Sequence, residues 1–103
     1  MKRATEYMED RLADDVSLCD LSKLLDLSTF HLCRAFKQST GLPPYRWRLQ
    51  RCVERAREML EGTDLSVTEV AAAVGYDDPS QLAAAFRKAL GVSPTQYRRE
   101  RRT

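Results

Sequence analysis

Between positions 29 and 38 the chain places Thr29, Phe30, His31, Cys33, Arg34, Lys37 and Gln38 within about three helical turns. At 100° per residue, Leu32, Ala35, Phe36 and Ser39 fall on one side of that helix. Phe30, Cys33, Arg34 and Lys37 fall on the other, with His31 and Gln38 on its flank. Arginine meets guanine O6 and N7 through a bidentate pair, lysine holds a phosphate, and an outward phenylalanine touches a thymine methyl. Such a face suits the major groove of a duplex, and an outward aromatic is unusual on a helix with nothing to bind. Fifty residues on, the matching face carries Ser80, Ala83, Ala84 and Arg87, flanked by Gln81 and Lys88. That second face approaches a duplex closely but offers fewer groups for reading bases.

Other chemistries lack their residues. His31 and Cys33 stand two apart, about 200° around a helix, and the chain holds one histidine, so no metal site is expected. The acid pairs Asp14-Asp15 and Asp77-Asp78 fall at helix ends, where capping accounts for them. There is no glycine-rich phosphate loop, nucleophile elbow or Cys-His spacing. No catalytic residue, metal or cofactor is expected, and the chain does not read as an enzyme. Cys19 and Cys52 are expected as small buried hydrophobes, and Trp47 as packing between helices rather than stacking on a base. Cys33 stays open between a DNA contact, an oxidation-sensitive thiol and an inert surface residue.

The elements that must position these residues are all helical, and no period-2 strand is visible. Ala4, Met8 and Leu12, with Tyr7 beside them, give a first helix over about residues 3–13. Ser17 and Asp20 form a capping box that opens a short helix to Leu25, with Leu18, Leu21, Leu24 and Leu25 on its buried side. Ser28 caps the next helix, which Gly41 stops. A linker helix over about 44–61, some 26 Å long, carries the stripe Tyr45, Leu49, Cys52, Val53, Ala56, Met59 and Leu60 up to Gly62. Ser66 and Glu69 form a second capping box, Gly75-Tyr76-Asp77 a turn, and Asp78-Pro79 the start of a helix to Leu90. Ser93-Pro94 opens a last helix into the tail Arg98, Arg99, Arg101 and Arg102.

These elements repeat. Ser17, Asp20 and Leu21 recur 49 residues later as Ser66, Glu69 and Val70. Leu32, Phe36, Lys37, Gly41 and Pro44 recur 50 residues later as Leu82, Phe86, Arg87, Gly91 and Pro94. A capped helix, a tight turn and a second helix make a helix-turn-helix, here at about 17–40 and 66–90. The fold expected is all-α, one domain over 1–103 with about seven helices and two helix-turn-helix subdomains joined by the linker helix. The recognition helices should then sit about one DNA turn apart, roughly 34 Å.

The 103 residues suffice for one ordinary domain, and 43% hydrophobic with 31% charged residues fits a globular chain rather than a disordered one. No apolar run approaches a membrane span, and the acids in MKRATEYMEDR replace the apolar stretch of a signal peptide. Three cysteines without a paired framework fit a reducing cytoplasm. Net charge is +2, distributed unevenly: −3 over residues 1–33, +4 over 34–61 and +1 over 62–103. A basic middle and tail suit a polyanion on one side, although charge alone is better described by a solvated helical surface.

The stretch LCDLSKLLDLSTFHLCRAFKQSTGLPPYRW at 18–47, followed by VTEVAAAVGYDDPSQLAAAFRKALGVSPTQYRR at 67–99, resembles the DNA-binding domain of the AraC/XylS family of bacterial transcription regulators. The resemblance implies seven helices and two recognition helices in successive major grooves of double-stranded DNA. Carried over by position, it puts Phe30, His31, Cys33 and Arg34 near bases, with Thr29 and Lys37 near the backbone. In the second copy it puts Ser80, Gln81, Ala83 and Ala84 near bases and Arg87 near phosphate, and Arg98 in the tail joins the phosphate set. It also implies a cytoplasmic, nucleoid-associated protein, RNA polymerase as a further partner, and an amino-terminal effector-binding domain outside this chain. The chain is then either a small stand-alone regulator or a piece of a longer one.

Three positions depart from the family pattern. Asp26 stands where the first turn often has glycine, tolerable because aspartate enters the left-handed region more readily than most residues. Pro43 replaces the serine that caps the linker helix. Ala84 replaces the arginine common in the second recognition helix, which weakens base reading there. The alternative function is therefore a helical protein-interaction module, binding RNA polymerase or another regulator, with weak DNA readout.

Overall fold

Serine hydroxyls and left-handed turns set the boundaries of this all-α chain. The structure, a computed structural model, describes residues 2–14 and 16–101. Among them lie seven helices and no strand: α1 (Lys2–Asp10), α2 (Leu18–Leu25), α3 (Thr29–Thr40), α4 (Pro44–Gly62), α5 (Val67–Ala73), α6 (Pro79–Leu90) and α7 (Pro94–Arg101). None is long and apolar enough to cross a membrane. Asp15 and Arg102, named above, lie outside the described residues.

Both capping boxes form. Ser17 Oγ accepts from Asp20 N at 3.1 Å while Asp20 Oδ2 accepts from Ser17 N at 3.3 Å. Ser66 and Glu69 repeat the exchange at 3.1 and 3.0 Å. The two turns match as well: Leu27 N donates to Ser22 O at 3.0 Å, and Tyr76 N to Ala71 O at 2.9 Å. Asp26 enters the first turn at φ 54°, ψ 46°, and Gly75 the second at φ 96°. Gly41 and Gly91 end α3 and α6 in the left-handed region. Pro43 leaves α4 without a side-chain cap.

Four details differ from the sequence reading. The first helix ends at Asp10, and residues 11–13 form a turn that still buries Leu12. Gly62 lies inside α4, which ends on Thr63 in extended geometry rather than on a left-handed glycine. Leu18 and Tyr45 are exposed, Tyr45 by 70%, because each lies in the first turn of its helix, beyond the packed stripe. Cys19 is exposed, whereas Cys52 is buried as expected.

Two cores result. Ala4, Met8, Leu21, Leu32 and Phe36 form the first, with Trp47 packed against it. Cys52, Val53, Ala56, Leu60, Val70, Leu82, Phe86 and Tyr97 belong to the second, together with Leu12. The body measures 48 × 21 × 21 Å. Helix α4 runs from one core into the other, and the Arg51 guanidinium ties it to α1 through Glu9 while also pairing with Glu54.

Candidate nucleic-acid interface

Helix α3 buries Leu32 and Phe36 against the first core and turns Phe30, His31, Arg34 and Lys37 to solvent. Phe30 is 68% exposed, an area of ring that in water alone has no compensating contact. Its edge-on neighbour is the His31 imidazole at 5.6 Å. Ser28 Oγ accepts from His31 N at 3.2 Å and lies 2.8 Å from His31 Nδ1, so one hydroxyl caps the helix and orients the ring. Nε2 is then the ring nitrogen left for a base edge. A shallow hollow of about 450 Å³, lined by Leu27, His31, Arg34, Ala35 and Gln38, runs beside this face. Cys33 is half-buried and Thr29 is exposed at the first position of the helix.

Helix α6 repeats the arrangement with smaller groups. Leu82 and Phe86 are buried; Ser80, Gln81, Ala84 and Arg87 are exposed, and Ala83 is half-buried. Its N-cap is the acidic Asp78 where that of α3 is Ser28. Asp78 Oδ1 accepts from Ser80 N at 2.9 Å, and this backbone hydrogen bond lowers the Asp78 pKa. Asp77 stands beside it. Carboxylates at that end oppose a phosphate backbone.

The cations sort into two groups. Arg34, Lys37 and Arg87 form no ion pair among the described residues. Arg98, expected near phosphate, is instead engaged inside the fold: Nε donates to Leu60 O at 3.2 Å and Nη2 to Thr63 O at 3.3 Å. The carbonyl end of α4 carries partial negative charge and unpaired acceptors, and a guanidinium satisfies both. Arg101, itself exposed, lies over the Tyr97 ring at 5.2 Å and 3.8 Å from Glu61, and Arg99 is exposed. Arg48 is the residue that sequence reasoning missed. Its Nη2 donates to Leu12 O at 2.9 Å and Asp14 O at 3.1 Å. The signal was a lone arginine between Trp47 and Leu49, next to the buried stripe.

Two capped helix-turn-helix units on one connecting helix, each with an outward second helix, define a double helix-turn-helix module. A family described as a helix-turn-helix domain matches residues 21–100, and the chain belongs to it, as an AraC/XylS-type domain. Similar proteins include the MmsAB operon regulatory protein of Pseudomonas aeruginosa, 37% identical over 89% of this chain and 30% of that protein. The C-terminal domain of AraT, a response regulator from Geobacillus stearothermophilus, is 37% identical with a TM-score of 0.90, over 97% of this chain and 84% of that one. The DNA-binding domain of AdpA, a global transcriptional factor solved with a target DNA, is 31% identical with a TM-score of 0.93, over 98% and 91% of the two chains. The chain spans about a third of the length of the curated relatives it matches.

Proposed function

We propose that this chain is the sequence-specific, double-stranded DNA-binding part of a bacterial transcription regulator, with α3 and α6 in successive major grooves. One observation carries the reading. Phe30, His31, Arg34 and Lys37 stand together on the exposed side of α3, and the cations among them have no ion-pair partner among the described residues. The repeat on α6 and a 48 Å long axis support two contacts about one DNA turn, ~34 Å, apart. The solved complex of the similar AdpA domain with its target DNA supports the same reading. Phe30, His31, Cys33, Arg34, Ser80, Gln81, Ala83 and Ala84 lie near bases, and Thr29, Lys37 and Arg87 near phosphates. The protein works in the cytoplasm at the nucleoid, without cofactor or catalysis. RNA polymerase and an amino-terminal effector domain are its further partners.

A second reading, a protein-interaction module, draws on a groove of about 570 Å³ between α4 and α6, floored by Leu49, Val53, Ala85 and Ala89. A salt series on random and selected duplexes separates the two. DNA binding gives log K falling linearly with log[salt], and footprinting gives protection over about two turns on one side of the duplex. Negligible binding to any duplex at low salt would leave the interaction module as the reading.

A further inference from the structure

Among the described residues the two cores share no side chain, so a feature off the axis of α4 must fix the angle between them. A continuous helix sets their separation but bends gently under load. Leu12 provides the missing link. It follows α1, whose Ala4 and Met8 belong to the first core, yet its own side chain is buried in the second. Its carbonyl oxygen accepts from Arg48 Nη2 at 2.9 Å, and the same nitrogen donates to Asp14 O at 3.1 Å.

Gly75 closes the same point from the other side. A Cβ added there would stand 2.6 Å from Leu12 O and 3.0 Å from Arg48 Nη2, and its φ is 96°. The chain leaving α1, the first turns of α4 and the turn before α6 therefore meet around one guanidinium. Arg48 Nε and the Tyr76 hydroxyl are buried without a hydrogen-bond partner among the described residues. Burying them costs solvation, which a side chain placed only for solubility would avoid by turning to water.

We infer that Arg48 is a positioning residue that locks the angle between the two helix-turn-helix units, and through it the half-site spacing the protein accepts. The inference rests on the DNA-binding reading proposed above. One base pair added between half-sites moves the second by ~3.4 Å and turns it by ~35°, which a locked joint resists and a loose one absorbs.

Two measurements test this. In the free protein, residual dipolar couplings from α3 and α6 fit one alignment tensor for the wild type and need two for Arg48→Leu. A single shared tensor for Arg48→Leu overturns the lock. On duplexes, adding or removing one base pair between the half-sites weakens the wild type by about tenfold or more and Arg48→Leu by less than about threefold. Equal losses, or a wild type indifferent to spacing, overturn the inference, because α4, its Arg51–Glu9 tie to α1, or no element then sets the spacing. If Arg48→Leu does not fold, Arg48→Gln, which keeps one amide donor, is measured in both arms against the same criteria. A wild type that binds no duplex overturns the DNA-binding reading and the spacing role with it, while the dipolar couplings still decide whether Arg48 locks the joint.

Discussion

The Trp47 indole stands edge-on to the Phe36 ring, centroids 5.8 Å apart, so that the linker helix closes the first core from above. Fifty residues on, Tyr97 does the same to Phe86 at 5.3 Å. Each half thus carries its own aromatic lock, and in the second half Tyr97 also donates its hydroxyl to Glu61 at 2.7 Å. Because the cores share no residue among those described, truncating either phenylalanine should open its own half first. Phe36→Ala and Phe86→Ala should each cost ~3–5 kcal/mol. Amide exchange should show Phe36→Ala losing protection in α2 and α3 while α5 and α6 keep theirs. Uniform loss across the chain would mean the halves unfold as one.

The two turns predict opposite responses to substitution. Gly75→Ala must place a Cβ against Leu12 O at positive φ, and should cost at least ~1–3 kcal/mol. Asp26→Gly removes a left-handed non-glycine residue and should be neutral or stabilising, by up to about 1 kcal/mol. Denaturant midpoints of the two variants measure both. A tolerated Gly75→Ala would show that the joint around Leu12 yields easily.

Much of this was legible in the sequence because the signals are local. Ser17 with Asp20 and Ser66 with Glu69 specify caps three residues away, and Leu32 with Phe36 specifies a buried stripe within one turn. The outward face of α3 followed from that stripe. What escaped was long-range. Arg48 reaches carbonyls 34 and 36 residues back, and Arg98 reaches 35 and 38 residues back to the end of α4. No periodicity records which cation folds inward and which stays out. Tyr45 and Leu18 show the converse limit, since a stripe drawn by period includes first-turn residues that the packing leaves in water.

Stability should fall on acidification. Glu9 has its pKa lowered below the ordinary 4.5, first by the hydrogen bond from Arg51, and Glu69 and Asp78 are lowered by backbone hydrogen bonds at their helix starts. A folded pKa below the unfolded one gives a contribution fully present above about pH 4.5 and lost as pH falls through the depressed value. Tm should therefore drop below about pH 4.5, and less steeply in Glu9→Gln, which has no carboxylate there to protonate. An identical acid slope in that variant would show that the pair with Arg51 contributes nothing in solution, the usual fate of exposed ion pairs.

Base reading and phosphate holding should separate by mutation. Arg34→Ala should cost ~1–3 kcal/mol at the preferred site and relax preference at one guanine. Lys37→Ala and Arg87→Ala should weaken all duplexes alike and reduce the salt slope by ~1. Arg98→Ala should change that slope less than Lys37→Ala, since its half-buried guanidinium is held against the Leu60 and Thr63 carbonyls and keeps its charge there. An Arg34→Ala variant that weakened random and selected duplexes equally would place Arg34 on a phosphate.

The two half-sites should differ in information content. Helix α3 offers Arg34, an oriented His31 and an exposed Phe30, which together can tell base pairs apart. Helix α6 offers Ser80, Ala83 and Ala84, with Gln81 on the flank as the one side chain able to pair bidentately, to adenine. Its start also carries Asp77 and Asp78, the latter with its pKa lowered by the Ser80 backbone hydrogen bond, so the approach of phosphates is less favourable there. With Arg98 bonded to the end of α4, Arg87 should be the main phosphate contact of that half, and what specificity remains should come from DNA shape. Selection from random duplexes should return one defined half under α3 and one degenerate half under α6. Gln81→Ala should then change the selected sequence far less than Arg34→Ala. Two equally constrained halves, with both variants equally damaging to specificity, would show that the alanine face of α6 reads bases as well as the arginine face of α3.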